Sequence, residues 1–372
     1  MKLAIERAAL LRSLGHVQNV VERRSTIPIL GNVKLEAADG ELRTLATDLD
    51  LSLSSRQPAT IQEPGATSVA ARLLYDVVRK LPKDSGVLLE QPAGTSDLLV
   101  RAGHALFALA TLPASEFPQT DEEALSVAFE LAAPELRRLI DKTRFAMSIE
   151  EIRYYLNGVH LHATSGGDAA RLRAVATDGH RLARIEAPLP EGAAGMPAII
   201  VPRKAVAEIR RLIDELDGPI GISLSASRIQ VVVDGNILIS RLIDGAYPDY
   251  ERFIPLGNEK IALVDRCSLA ESIDRVATIA TDKARAVKFA FKAGSLHLSS
   301  VNADAGRAED KVDCAFTGEA IEIGFNARYA LDIIAQIDGP TVRIEMANPA
   351  APTLLRDPED PSALYLLMPM RV

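Results

Sequence analysis

Apolar residues follow two different periods along this chain. Ile220–Leu224 and Ile321–Phe325 alternate apolar and polar residues, the pattern of a strand with one buried face. Asp39-Gly40 lies between Val33–Ala37 and Glu41–Ala46, and Asp234-Gly235 lies between Ile229–Val233 and Ile237–Leu242. Each pair predicts a tight hairpin, because Asp-Gly accepts the positive φ angles such turns need. Helical spacing appears in Val69–Leu81, Val201–Leu212 and Phe325–Ala335, and helical starts appear at Glu6, Pro134 and Cys267. The predicted order is a helix, several strands, a second helix and more strands. Strands and helices do not alternate as βαβ units, so the expected class is α+β with antiparallel sheets.

The pattern occurs three times. The second-helix segments each have an apolar lead-in and an arginine (Arg72, Arg203, Arg328), with an acid about one helical turn later, four positions on at Asp76 and Asp332 and five at Glu208. The arginines lie 131 and 125 positions apart. Thr47-Asp48 returns 130 positions on as Thr177-Asp178, and Asn302 follows Thr177 by 125. Phe117-Pro118 returns 130 positions on as Tyr247-Pro248. A period this long marks whole domains, not solenoid units. Three homologous domains are expected at 1–125, 126–257 and 258–372, with short linkers at Pro113–Asp121 and Asp249–Asn258.

Composition narrows the class. With 372 residues, 4% aromatics and no Trp, the core must be mainly aliphatic. Cys267 and Cys314 form no CxxC pair, so neither a disulfide framework nor a cysteine zinc site is expected. Both are read as small, at least partly buried hydrophobes. No apolar run nears the roughly 18 residues that span a bilayer, and Lys2, Glu6 and Arg7 interrupt a signal-peptide pattern. A cytoplasmic location is expected.

Catalytic motifs are missing from the sequence. It has no GxGxxG after a strand, no GxxxxGK[ST], no HExxH and no GxSxG. His160 and His162 fall on one strand face and are read as solvent-facing. Asp178-Gly179-His180 is too contiguous for triad geometry. No catalytic residue, metal or cofactor is therefore expected. A metal-assisted hydrolase using His160, His162 and Asp178 and a monomeric protein-binding scaffold are the competing classes.

The net charge of −8 argues against nucleic acid only on average. Cations gather on predicted helices: Arg137, Arg138, Lys142 and Arg144, then Arg203, Lys204, Arg210 and Arg211, and Arg79-Lys80. Basic helices without base-reading motifs suit sequence-independent phosphate contact.

Several strings, in order from Met1 to Val372, resemble the bacterial DNA polymerase III β subunit family, the sliding clamps. They are Thr26–Asn32, Arg153–Gly158, Ala176–Leu182, Val201–Lys204, Asp244–Tyr250 and Met368–Val372. The resemblance implies a DNA-clamp architecture, with three domains per chain and a head-to-tail dimeric ring around double-stranded DNA. It implies a non-catalytic processivity factor that tethers the replicative DNA polymerase, a clamp loader and other proteins carrying clamp-binding peptides. By resemblance, Arg24, Tyr154, Tyr155, Arg203 and Lys204 face DNA. The partner-peptide pocket corresponds to Leu156, Thr177, Gly179, His180, Arg181, Leu182, Pro248, Arg252, Asn326, Tyr329, Met368, Pro369, Met370 and Arg371. Phe107, Leu109 and Ile279 match the dimer interface. Glu150 stands where the family commonly has Gln, and no DNA role is carried to it. Ala284 replaces a position that is often aromatic at the pocket rim.

Overall fold

The computed structural model describes residues 1–22, 26–119, 124–164, 170–280 and 285–371. The first repeat runs β1 (Lys2–Glu6), α1 (Arg7–Val17), β2 (Asn32–Ala38), β3 (Glu41–Thr47), β4 (Leu51–Pro58), β5 (Thr60–Glu63), β6 (Gly65–Ala70), α2 (Ala71–Lys80), β7 (Gly86–Glu90), β8 (Asp97–Ala102) and β9 (Ala105–Leu112). The second runs β10 (Val127–Ala132), α3 (Ala133–Asp141), β11 (Gly158–Thr164), β12 (Arg171–Thr177), β13 (Arg181–Pro188), β14 (Ile199–Pro202), α4 (Arg203–Leu212), β15 (Pro219–Leu224), β16 (Arg228–Val233) and β17 (Asn236–Arg241). The third runs β18 (Lys260–Asp265), α5 (Arg266–Ala277), β19 (Ala286–Lys292), β20 (Ser295–Asn302), β21 (Gly306–Thr317), β22 (Ile321–Asn326), α6 (Ala327–Ile334), β23 (Thr341–Met346), β24 (Thr353–Asp357) and β25 (Asp360–Leu367).

The protein is α+β, with three homologous domains and antiparallel pairing. The first strand of each repeat pairs with the strand after the second helix: β1 with β7, β10 with β15 and β18 with β23. Both expected Asp-Gly hairpins form, with φ of 51° and 78° at Asp39-Gly40 and 44° and 72° at Asp234-Gly235. One expectation is corrected. Each repeat opens on a strand, not a helix. In β1 only Leu3 and Ile5 are buried, and the strand runs into α1 with no turn residue between them. Five residues of alternation merge with the helical stripe when read as sequence.

The chain falls into two compact units. One comprises Met1–Pro134, Pro190–Pro197 and Lys204–Leu242, and the other Glu135–Leu189, Ala198–Arg203 and Ile243–Val372. The first carries a 13-stranded sheet in which β17 pairs with β4. The second carries a 12-stranded sheet in which β25 pairs with β13. The middle repeat thus gives β10 and β15–β17 to one sheet and β11–β14 to the other.

The helices are amphipathic in the expected way. α2 buries Ala71, Leu74, Val77 and Val78 and leaves Arg72 and Arg79 outside. Burying a Leu or Val side chain contributes about 1.5–3 kcal/mol relative to leaving it in water. Asp265 caps α5 and Asn326 caps α6 through side-chain oxygens that accept the Ser268 and Tyr329 N–H. The basic face of α3 is not a free surface. Arg138 donates to Asp360 at 2.5 Å, and Lys142 donates to Asp338 at 2.7 Å and to the Gln336 carbonyl. These acids lie about two hundred positions away in sequence, so the cations looked unpaired. Cys314 is buried as expected, whereas Cys267, on the outer face of α5, is exposed.

Candidate functional site

The turn between β12 and β13 is built by two side chains. The Thr177 hydroxyl donates to the Arg181 carbonyl at 2.7 Å and accepts the Gly179 N–H at 3.1 Å. Asp178 Oδ1 accepts the N–H groups of His180 and Arg181 at 2.9 and 3.0 Å. Gly179 takes φ of 87°, and a Cβ there would stand 2.8 Å from Arg153 Nη1. Glycine therefore removes both a strained conformation and a clash.

Arg181 is the hub. It is 8% exposed and donates to Asp178 Oδ2 at 3.1 Å, Asp332 Oδ2 at 2.5 Å and the Phe145 carbonyl at 2.7 Å. Its guanidinium lies 4.5 Å from the Tyr329 ring centre and 5.1 Å from that of Phe145. Two carboxylates, a carbonyl and two rings compensate a nearly buried cation. Tyr329 also stacks on His180 with centroids 6.0 Å apart. The chain end joins this cluster: Met368 N–H donates to the His180 carbonyl and Met370 N–H to the Gly324 carbonyl, both at 2.9 Å. Pro369, Met370 and Arg371 line a cavity of about 660 Å³ with Gly324 and Pro349. Met368 is exposed, just past the end of β25.

Leu182 lies beneath this surface, packed with Val175, Tyr250, Leu354, Leu364 and Leu366. Leu156 is buried at the end of the 3-10 turn Glu151–Leu156. Pro248 borders a second cavity, and Arg252 is exposed and paired with Asp249 at 2.6 Å. The turn, Asn326, Tyr329 and the Met368–Met370 tail are thus brought together. Pro248 and Arg252 flank them through the Tyr247–Ile254 segment. Sequence reading did not assign Asp178, Asp332, Phe145 or Arg153 to the site. Asp332 carried a signal, since it is the acid that repeats about one turn after each helix arginine.

The residues matched to DNA contact have varied surroundings. Arg24 and the Ala284 departure lie outside the described residues. Tyr154 and Tyr155 meet edge-on at 5.8 Å on the 3-10 turn, ahead of β11 and not within it. Tyr154 is exposed, as are Ile149 and Ile152. Arg203 Nη2 donates to the Met147 and Ser148 carbonyls at 2.7 and 2.8 Å, tying down the start of this loop. Lys204 binds the Val20 carbonyl at 2.8 Å and the Asp48 carboxylate, so its charge is already compensated.

His160 and His162 share a face as expected, but they are partly buried and not solvent-facing. Their rings stack at 4.8 Å, and His160 stacks on Tyr247 at 4.4 Å. His160 Nδ1 donates to the Ile199 carbonyl at 3.1 Å. Tyr250 accepts from Arg173 and hydrogen-bonds His162 Nε2, both at 3.0 Å. Burial, followed by the neighbouring His162, depresses the His160 pKa to about 4. Among the described residues no three His, Cys, Asp or Glu side chains are grouped to hold a metal ion.

The residues matched to a dimer contact lie at an open strand edge and a helix end. Phe107 and its neighbour Leu106 are exposed on β9, while Leu109 is 7% exposed. Ile279 is half-buried just beyond α5. Among the described residues β9 pairs with β8 over Ala105–Ala110 and meets β6 only at Thr111 and Leu112. β21 pairs with β20 over Gly306–Asp313 and with β18 over Cys314–Thr317, which leaves the other edge of Gly306–Asp313 without a strand among the described residues.

Residues 1–121, 130–249 and 251–371 match the N-terminal, central and C-terminal domains of the DNA polymerase III beta subunit. The chain is 48% identical over 372 residues to the beta sliding clamp of Caulobacter vibrioides (strain NA1000 / CB15N), covering 100% of both. It is 36% identical over 376 residues to that of Escherichia coli (strain K12), again covering 100% of both. The crystal structure of the C. crescentus beta sliding clamp superposes with a TM-score of 0.97, covering 100% of this chain and 99% of that one. A Bartonella birtlesii sliding clamp bound to griselimycin superposes with a TM-score of 0.97 at 43% identity, with 100% of both chains covered.

Proposed function

The chain belongs to the DNA polymerase III beta subunit family, and from that premise we propose how its residues do the work of a sliding clamp. It is a non-catalytic processivity factor for DNA replication. Two copies join head to tail, the first domain of one against the third domain of the other, and the resulting ring encloses double-stranded DNA. The observation that carries this reading is the repeated strand joint. In one unit the last strand of the second repeat (β17) covers the edge of β4, and in the other the last strand of the third repeat (β25) covers the edge of β13. The same rule applied again pairs β9 of one copy with β21 of another, and each of these strands has an edge with no further strand among the described residues. Two such contacts satisfy both edges of both chains, which closes a ring instead of extending a filament.

The exposed Leu106 and Phe107 supply apolar surface to this joint, with Leu109 beneath and Ile279 on the third-domain side. Inside the ring, affinity for phosphate can stay weak because topology prevents loss. Arg24, Arg203 and Lys204 face the duplex, and Tyr154 and Tyr155 present rings that stack on or hydrogen-bond an emerging strand. The engaged state of Arg203 and Lys204 fits loose contact: each must exchange an internal partner for a phosphate. Partner peptides from the replicative polymerase, the clamp loader and other clamp-binding proteins enter the groove formed by the Thr177–Leu182 turn, Tyr329 and the Met368–Arg371 tail. Met368 and Met370 adapt to varied side chains. Such a protein works in the cytoplasm, at the nucleoid. Native mass tests the assembly: the expected species has twice the 40.0 kDa chain mass, and a persistent monomer at high concentration rules out the ring.

A further inference from the structure

The chain has six methionines, Met1, Met147, Met196, Met346, Met368 and Met370, and their surroundings differ. Met147 and Met196 are 8% exposed, and Met346 is fully buried on β23. Met1 is half-buried beside Gly65, with its amino group donating to the Gln91 carbonyl at 3.3 Å. Met368 is the most exposed of the six at 36%, and Met370 is half-buried on the wall of the 660 Å³ cavity. The backbone of this segment is pinned by the bonds from Met368 N–H to the His180 carbonyl and from Met370 N–H to that of Gly324. Two of the three thioethers that solvent can reach therefore lie, in fixed register, beside the Thr177–Leu182 turn.

A thioether suits a groove for varied partners because it is unbranched, apolar and polarisable. The same sulfur carries a lone pair that two-electron oxidants attack, and accessibility decides which methionine reacts. Cys267 is the other exposed sulfur, on the first turn of α5 and not among the groove residues, whereas Cys314 is buried. Oxidation of the folded chain is thus directed by burial away from Met147, Met196 and Met346 and toward the tail.

We propose that Met368 and Met370 are a modification site, oxidised by hydroperoxides to sulfoxides that lower the affinity of the groove for partner peptides. The sulfur lone pair takes one peroxide oxygen, and the S–O bond forms as the O–O bond breaks. The departing oxygen collects the proton of the transferred one and leaves as water or an alcohol. Sulfur loses two electrons and the peroxide gains them. The product is polar and carries an acceptor oxygen where a peptide would bring apolar side chains, so binding must bury that oxygen at a cost. The inference rests on reading the Thr177–Leu182 turn, Tyr329 and the Met368–Arg371 tail as a peptide groove, and adds a means of regulating it.

The test uses the full chain carrying Cys267→Ser, which removes the exposed thiol, and a fluorescein-labelled Ser-Leu-Gln-Leu-Phe peptide followed by anisotropy. The folded protein is treated with hydrogen peroxide, and added oxygen is located by peptide mass mapping. Met368 and Met370 are expected to react at least about tenfold faster than Met147, Met196 and Met346, and more slowly when the peptide is bound. Peptide affinity is expected to fall by about tenfold or more and to return after treatment with both epimer-specific methionine sulfoxide reductases. In a Met368→Leu/Met370→Leu chain the ratio of treated to untreated affinity should be one, whatever its starting value. Oxygen on both tail methionines with unchanged peptide affinity contradicts the proposal and leaves the groove reading standing. So does a loss of binding that the reductases fail to reverse, or one that persists in the double variant. Equal reaction rates at exposed and buried methionines also overturn the proposal. An untreated chain that does not bind the peptide contradicts the groove reading and the proposal together.

Discussion

β4 and β21 hold the same place in their repeats, as the strand that ends the three-stranded run after the first helix. Their edges meet different fates. Leu51–Ser55 of β4 is covered by β17, while Gly306–Asp313 of β21 is open on one side among the described residues. β17 and β9 make the matching contrast from the other direction. Leu238 of β17 is fully buried, whereas Leu106 and Phe107 of β9 are exposed. An open apolar strand edge is ordinarily an aggregation hazard. In the proposed assembly, the strand that covers this edge comes from a second copy.

The largest expected effect comes from placing a charge on each side of this contrast. Leu238→Asp should unfold its unit, because an unpaired buried carboxylate costs several kcal/mol, on the order of 4. Leu106→Asp with Phe107→Asp should leave the chain folded and weaken dimerisation about 100-fold, equivalent to about 3 kcal/mol. Sedimentation and circular dichroism together read both outcomes. Loss of fold in both variants would erase the distinction between covered and open edges.

A smaller effect is expected where β13 begins. Arg181→Ala removes the cation shared by Asp178, Asp332 and the Phe145 carbonyl. Truncating one side of a mostly buried ionic cluster costs roughly 3 kcal/mol, and thermal unfolding should show it. Dimer mass should not change, because the β9 and β21 edges are untouched. A dimer that dissociates in this variant would mean that the two joints are coupled.

The smallest effect concerns pH. His160 lies in the covered sheet with a pKa depressed from 6.5 to about 4, among His162, Arg173, Glu186, Tyr247, Tyr250 and Glu251. Between these two values the unfolded chain binds a proton that the folded chain refuses. The contribution is therefore fully present above about pH 6.5 and is lost as pH falls toward 4, with an upper bound of about 3 kcal/mol. His160→Phe, which keeps the stack on Tyr247, should flatten that part of the stability profile. An unchanged slope would show that other groups set it.

The legible parts of this protein were local. The helices α2, α4 and α6 and the two Asp-Gly hairpins follow from spacing and turn chemistry within a dozen residues. The repeat exposed what single segments could not, because Thr177-Asp178 and Thr47-Asp48 mark the same turn. The strands β1, β10 and β18 were missed because their short alternation runs directly into a helical stripe. The Arg181 cluster was legible only in part. Its position came from resemblance, but its partner Asp332 lies 151 residues away. Lys204 and Arg138 looked like free cations for the same reason: Asp48 and Asp360 are brought to them by pairings between repeats.

The central claim is that topology, not affinity, keeps this protein on DNA. The direct measurement loads it with a clamp loader onto nicked circular DNA, removes free protein and linearises half of the sample. The account predicts retention on the circles and rapid loss from the linear ends. Equal loss from both forms, or equal persistence on both, would contradict it.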